Sequence, residues 1–180
     1  MDVLKSFEDE KNLVLEKLDL LYESIQSLHY EGKMSLQKNI RVIYGIVQHL
    51  KPILVNHTNL DEEVIFPFAG KHIPILEPMI NFLKAERNEF NAQLESFEVL
   101  INEFNHGTDN STNYMLLEKL CDKGTYLVCI VRNHMQAEIE GVYNVLDQRL
   151  NLFEKKALFE KILQCECAIN YIHRHNEVTQ

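Results

Sequence analysis

The chain has 180 residues, 46% of them hydrophobic and 25% charged, with only six glycines and four prolines. That composition suits one folded domain with a substantial core and excludes both a disordered chain and a glycine- and turn-punctuated β-protein. Eighteen basic against twenty-seven acidic side chains leave a formal charge of −9, which repels polyanions, so no nucleic-acid partner is expected.

No apolar run approaches the roughly 18 residues that span a bilayer, and the start MDVLKSFEDEKN lacks the basic and apolar stretches of a signal peptide. No membrane partner and a cytoplasmic location are therefore expected. Cys121, Cys129, Cys165 and Cys167 are too sparse for a disulfide scaffold and are read as mostly reduced residues that pack as small hydrophobes.

In the first segment Phe7, Lys11, Val14, Leu18, Leu21 and Ile25 recur at steps of three and four, which is one face of a helix. HYEGK, with Gly32, ends it. Ser35 is placed to cap a second helix whose inner stripe carries Ile43, Val47, Leu50, Leu54, His57, Asp61 and Ile65; Pro52 should kink it and FPFAGKHIP should close it. A third helix runs through Leu76, Ile80, Leu83, Arg87, Phe90, Leu94, Phe97, Ile101 and Phe104. The polar stretch NHGTDNSTN at 105–113 separates it from a fourth, marked by Cys121, Val128, Val131, His134, Glu138, Val142 and Val145. A fifth segment, from about Leu152 to His173, carries Phe153, Leu158, Ile162 and Ile169 and is expected to pack outside as a lid or an interface element. The expected fold is all-α: an up-down-up-down four-helix bundle over 1–150, with an additional C-terminal helix and polar tail over 151–180.

Each main helix interrupts its apolar stripe with charge, at Lys11, Asp61, Arg87 and Glu138. A buried unpaired charge costs several kcal/mol, of that order even after relaxation, so four on core faces imply mutual compensation, a bound ion, or both. Spacing of four residues puts His57 beside Asp61 and His134 beside Glu138 on shared faces, and these ligand types suit iron, manganese or zinc. An internal repeat supports the convergence. Glu10-Lys11-Asn12 recurs as Glu86-Arg87-Asn88, and Asn56-His57-x-x-x-Asp61 recurs as Asn133-His134-x-x-x-Glu138.

His57-Thr-Asn-Leu-Asp61-Glu62-Glu63-Val-Ile-Phe66-Pro67, together with His134-Met-Gln-Ala-Glu138, resembles the hemerythrin-like (HHE) cation-binding family over about Phe7 to Leu146. The resemblance implies a four-helix bundle around a non-haem di-iron centre, with Asp61 and Glu138 at the bridging positions and His57 and His134 as terminal ligands. The chain departs from that pattern where the family has Glu-His, carrying Glu10-Lys11 and Glu86-Arg87, and it has Asn91 at the further third-helix position. Arginine keeps its proton and cannot be a ligand, and lysine would need a strongly depressed pKa.

Two readings follow. In the first, no metal or only a weakly bound divalent ion is held, and Lys11 and Arg87 supply the missing positive charge to Asp61 and Glu138 in a non-enzymatic binding or sensor module. In the second, His57, Asp61, His134 and Glu138, with Glu62, Glu10 or Glu86 in reserve, hold iron, manganese or zinc, mono- or dinuclear, for redox or iron-handling chemistry on oxygen species or small diatomic ligands. A homodimer or protein partner could use the fifth helix. Cys165, Cys167, His173 and His175 are read as core cysteines and a frayed polar end, and His29, His49, His72 and His106 as surface histidines.

Overall fold

A computed structural model describes residues 3–28, 33–106 and 110–176, with side chains described over 11–28, 35–105 and 114–165. In chain order the elements are α1 (Val3–Ser27), α2 (Lys33–Leu60), a π-turn (Asp61–Ile65), α3 (Phe66–His72), a 3-10 turn (Pro74–Leu76), α4 (Glu77–His106), α5 (Asn110–Glu138), a second π-turn (Ile139–Tyr143), α6 (Asn144–Arg149) and α7 (Leu152–Asn176). No strand occurs among the described residues. None of their helices is long and apolar enough to cross a membrane.

The four long helices close a ring, with α1 packed on α2 and α5, and α4 packed on α2 and α5. The stripe periodicity explains this directly. Val14, Leu18, Leu21 and Ile25 on α1 are fully buried, and every stripe position of the third helix from Leu76 to Phe104 is buried. Two apolar clusters result: one fills the ring between α1, α2, α4 and α5, and the other lies around the π-turns, α3, α6 and α7. His57 falls between Leu54 of the first cluster and Leu60 of the second, Arg87 between Leu83 and Phe90, and Glu138 between Met135 and Val142. The polar residues therefore form a layer between two dry cores.

Several expectations are corrected. FPFAGKHIP does close the second helix, but at the far end of the stretch, because helix continues through the π-turn and α3 to His72. Pro67 follows directly on the π-turn, where the helical bonding is already widened, and the break falls at Ile73 (φ −135°, ψ 72°), which precedes Pro74 and is pushed out of the α region by it. Ser35 lies inside α2, which begins at Lys33, so it is not the cap. The polar stretch at 105–113 does lie between the two helices, but both run into it, α4 reaching His106 and α5 starting at Asn110. Cys121 is buried and Cys165 half-buried, but Cys129 is exposed. Phe153 is 85% exposed, because it occupies the first turn of α7, away from the face that buries Leu158 and Ile162. The side chains of Ile169, Cys167, His173, His175, Glu10 and Phe7 lie outside the described residues, as do those of His29 and His106.

Gly124 marks the tightest approach in the ring. A Cβ there would lie 2.5 Å from Ile25 Cδ1 and 2.8 Å from Phe97 Cζ. Both neighbours are fully buried, and the phenyl ring is rigid. Gly124→Ala should therefore destabilise the bundle by about 1–3 kcal/mol through overpacking, despite alanine's better helix propensity. Urea unfolding measures it, and an unchanged midpoint would refute the close contact.

Candidate functional site

The two His-x-x-x-acid segments share an unusual local structure. Each runs straight into a π-turn, in which Phe66 N–H donates to Asp61 O and Asn144 N–H donates to Ile139 O. Such single wide turns weaken helical bonding locally and are frequent at functional sites. They also re-aim the residues that follow. Phe66 lies five residues after Asp61 and Tyr143 five after Glu138, and both aromatic rings are buried beside the polar layer.

Asp61 is the hub. Its Oδ1 accepts a hydrogen bond from the Tyr143 hydroxyl at 2.7 Å, and its Oδ2 accepts one from Arg87 Nη2 at 3.2 Å and lies 3.4 Å from His57 Nε2. His57 Nε2 reaches Glu138 Oε2 at 2.8 Å. The ligand atoms of His57, Asp61 and Glu138 thus all lie within 4.8 Å of one another, and all three residues are buried. Burial is the main force that raises the Asp61 carboxyl well above its ordinary range; the charge of His57 opposes it, the charge of Glu138 adds to it, and the Tyr143 hydrogen bond resists it. The nearby guanidinium also acts against this rise. Burial would raise Glu138 too, but the charge and hydrogen bond of His57 bring it below its ordinary value. Burial thus pushes Asp61 towards its protonated form, while His57 favours the charged form of Glu138.

Arg87 brings the fixed cation into this layer. Nη1 donates to the Thr58 carbonyl at 3.1 Å and pairs with Glu62 Oε1 at 2.7 Å, and the guanidinium carbon lies 5.5 Å from the centre of the Phe66 ring. Arginine is well suited to the place, because it stays charged and its planar fork can meet a carbonyl and two carboxyls together. Glu62 is 52% exposed, so it faces outward and holds the arginine rather than joining the buried triad.

The other half of the layer is less satisfied. Both ring nitrogens of His134, with Glu138 Oε1, Glu86 Oε2 and Arg87 Nε, are buried without a hydrogen-bond partner among the described residues. His134 Nδ1 comes within 3.4 Å of Glu86 Oε2, and its ring packs edge-on against Phe90 at 5.1 Å. Burial, chiefly, lowers the His134 pKa to about 4; Glu138 opposes this, and the positive charges of Arg87 and His57 add to it. The imidazole is neutral at pH 7. Burial also raises Glu86.

Of the residues expected at the centre, the structure brings together His57, Asp61, Glu138 and Arg87, with Glu62 at the rim. His134 is buried nearby but stands outside the triad of mutually close ligand atoms. Lys11 is only half-buried and forms no ion pair with Asp61 or Glu138, so the four-membered network expected of it contains one basic residue. Asn91 is exposed. The imidazole and two carboxyls of the triad suit a single iron, manganese or zinc ion, and the unpartnered atoms around His134 could add donors. With Arg87 against Asp61 and no ligand at Asn91, the residues present do not fit a pair of ions.

Tyr143, the Thr58 carbonyl and the role of Phe66 were not apparent from sequence. A signal for Tyr143 did exist, since it holds the position after Glu138 that Phe66 holds after Asp61. No protein-family profile matches the chain, and no curated protein is significantly similar to it.

Proposed function

We propose that this protein is a non-catalytic binding or sensor module of hemerythrin-like descent, an up-down-up-down bundle in which a protein cation stands where relatives of that kind hold metal. The observation that carries this reading is the Arg87 guanidinium lodged against Asp61, inside the layer that also holds His57 and Glu138. Arg87 alone takes the role first expected of Lys11 and Arg87 together. The guanidinium meets Asp61 inside the layer and the exposed Glu62 on its outer side.

A second reading, one divalent ion per chain, is favoured by the unpartnered atoms of His134, Glu138 and Glu86. His57, Asp61 and Glu138 would hold it, with His134 buried beside them. A bound iron, manganese or zinc would supply Lewis acidity, and iron also redox chemistry with oxygen species or diatomic ligands. In either case Arg87 would keep positive charge beside Asp61 and weaken a second cation there. Elemental analysis of untagged protein after iron-, manganese- or zinc-supplemented expression separates the readings. The metal-free module should carry far less than one ion per chain, whereas about one ion, lost on His57→Ala or His134→Ala, would replace it with the second reading.

A further inference from the structure

We propose that α7 is a strap that opens from the bundle as a unit, hinged at Leu150–Asn151, and uncovers the π-turn that carries Asp61. α7 lies across that π-turn and the adjoining α1 and α2. Its hold is thin. Of the side chains described over 152–165, only Leu158 and Ile162 are buried, one turn apart, whereas Leu152 and Phe153 are 80% and 85% exposed. The long bundle helices, by contrast, bury a residue on nearly every turn.

Beside the half-buried Cys165, which packs on the second apolar cluster, the described ties include polar ones that reach solvent. Asn151 and Glu154 form a reciprocal cap: Asn151 Oδ1 accepts from the backbone N–H groups of Phe153 and Glu154, and Glu154 Oε2 accepts from the Asn151 N–H. Glu154 Oε1 also meets His72 Nδ1 at 3.1 Å, and the His72 ring is itself stacked on Phe68 at 4.2 Å. Because the cap preserves α7 as a helix and His72 fixes its angle against α3, the two act on different things: one keeps the strap intact, the other latches it. Midway along α7, Cys165 Sγ lies 3.7 Å from Glu63 Oε2, on the π-turn itself. Leu150 is extended (φ −74°, ψ 136°) between α6 and α7, which gives the hinge its place. Helices held by few buried contacts open below the free energy of global unfolding.

Hydrogen exchange of the full chain, read by mass spectrometry on peptides, tests this. In the unaltered protein the amides of 155–165 should exchange at least about tenfold faster than those of α4 and α5. His72→Ala should speed 155–165 a further five- to tenfold, about the loss of one modest hydrogen bond, and leave α4 and α5 unchanged. Ile162→Ala should speed 155–165 and 61–65 together, because the second segment lies under the first. One common rate for α7 and the bundle in all three proteins would overturn the strap. Faster exchange of α7 with no change at 61–65 would overturn its role as a cover.

Discussion

Replacing Arg87 with methionine is expected to cost the bundle about 3–5 kcal/mol at pH 7, read by chemical denaturation, even though the new side chain fills much of the same space. Arg87 is buried and makes contacts to Asp61, Glu62 and the Thr58 carbonyl. Without the guanidinium, the buried Asp61 loses its cationic donor at Oδ2, and the Thr58 carbonyl loses its Arg87 donor. Lys11→Met provides the contrast. It forms no ion pair with Asp61 or Glu138, so its loss should cost about 1 kcal/mol or less. Equal costs at the two positions would show that Arg87 acts only as packing.

The second large effect is acid sensitivity. A free histidine titrates near 6.5, and burial lowers His134 to about 4. Because the folded value is the lower one, the neutral imidazole's contribution is fully present above pH 6.5 and is lost as pH falls from there towards 4. At 1.36 kcal/mol per unit the total loss is about 3 kcal/mol. Asp61, whose folded value is raised, acts with the opposite sign: it favours the fold at low pH and loses that contribution as pH rises. The unaltered protein therefore shows the sum, and His134→Phe isolates the histidine. Urea midpoints at several pH values should show the phenylalanine variant gaining on the parent between pH 6.5 and 4. Parallel pH profiles would mean that His134 is not buried as a neutral ring.

Much of this was legible in the residues. The third helix kept its steps of three and four from Leu76 to Phe104, and a regular apolar stripe leaves a chain of this composition few alternatives to a buried helix face. His57, Asp61, Arg87, His134 and Glu138 were legible for a related reason, because a polar residue on a stripe must be buried with its neighbours. Lys11 satisfied the same rule and is only half-buried; a four-carbon stem lets a stripe position place its charge short of the core. Tyr143 was hidden by the π-turn, which puts it five residues from Glu138 rather than at the three- or four-residue spacing of an α-helix. The tie from His72 to Glu154 joins residues 82 apart, a distance over which helix periodicity carries no information. FPFAGKHIP was legible as a stop, and the break comes at Ile73 before Pro74; that helix runs past Pro67 first was not, because the π-turn ahead of it leaves no mark in the periodicity.

Charge compensation by Arg87 is tested most directly by repeating the Arg87→Met measurement in a background where both buried acids are made neutral, Asp61→Asn with Glu138→Gln. If the guanidinium is there to balance those acids, the cost of removing it should fall from about 3–5 kcal/mol to about 1 kcal/mol or less, a coupling of several kcal/mol. If instead the cost is the same in both backgrounds, Arg87 does not stand in for a metal's charge.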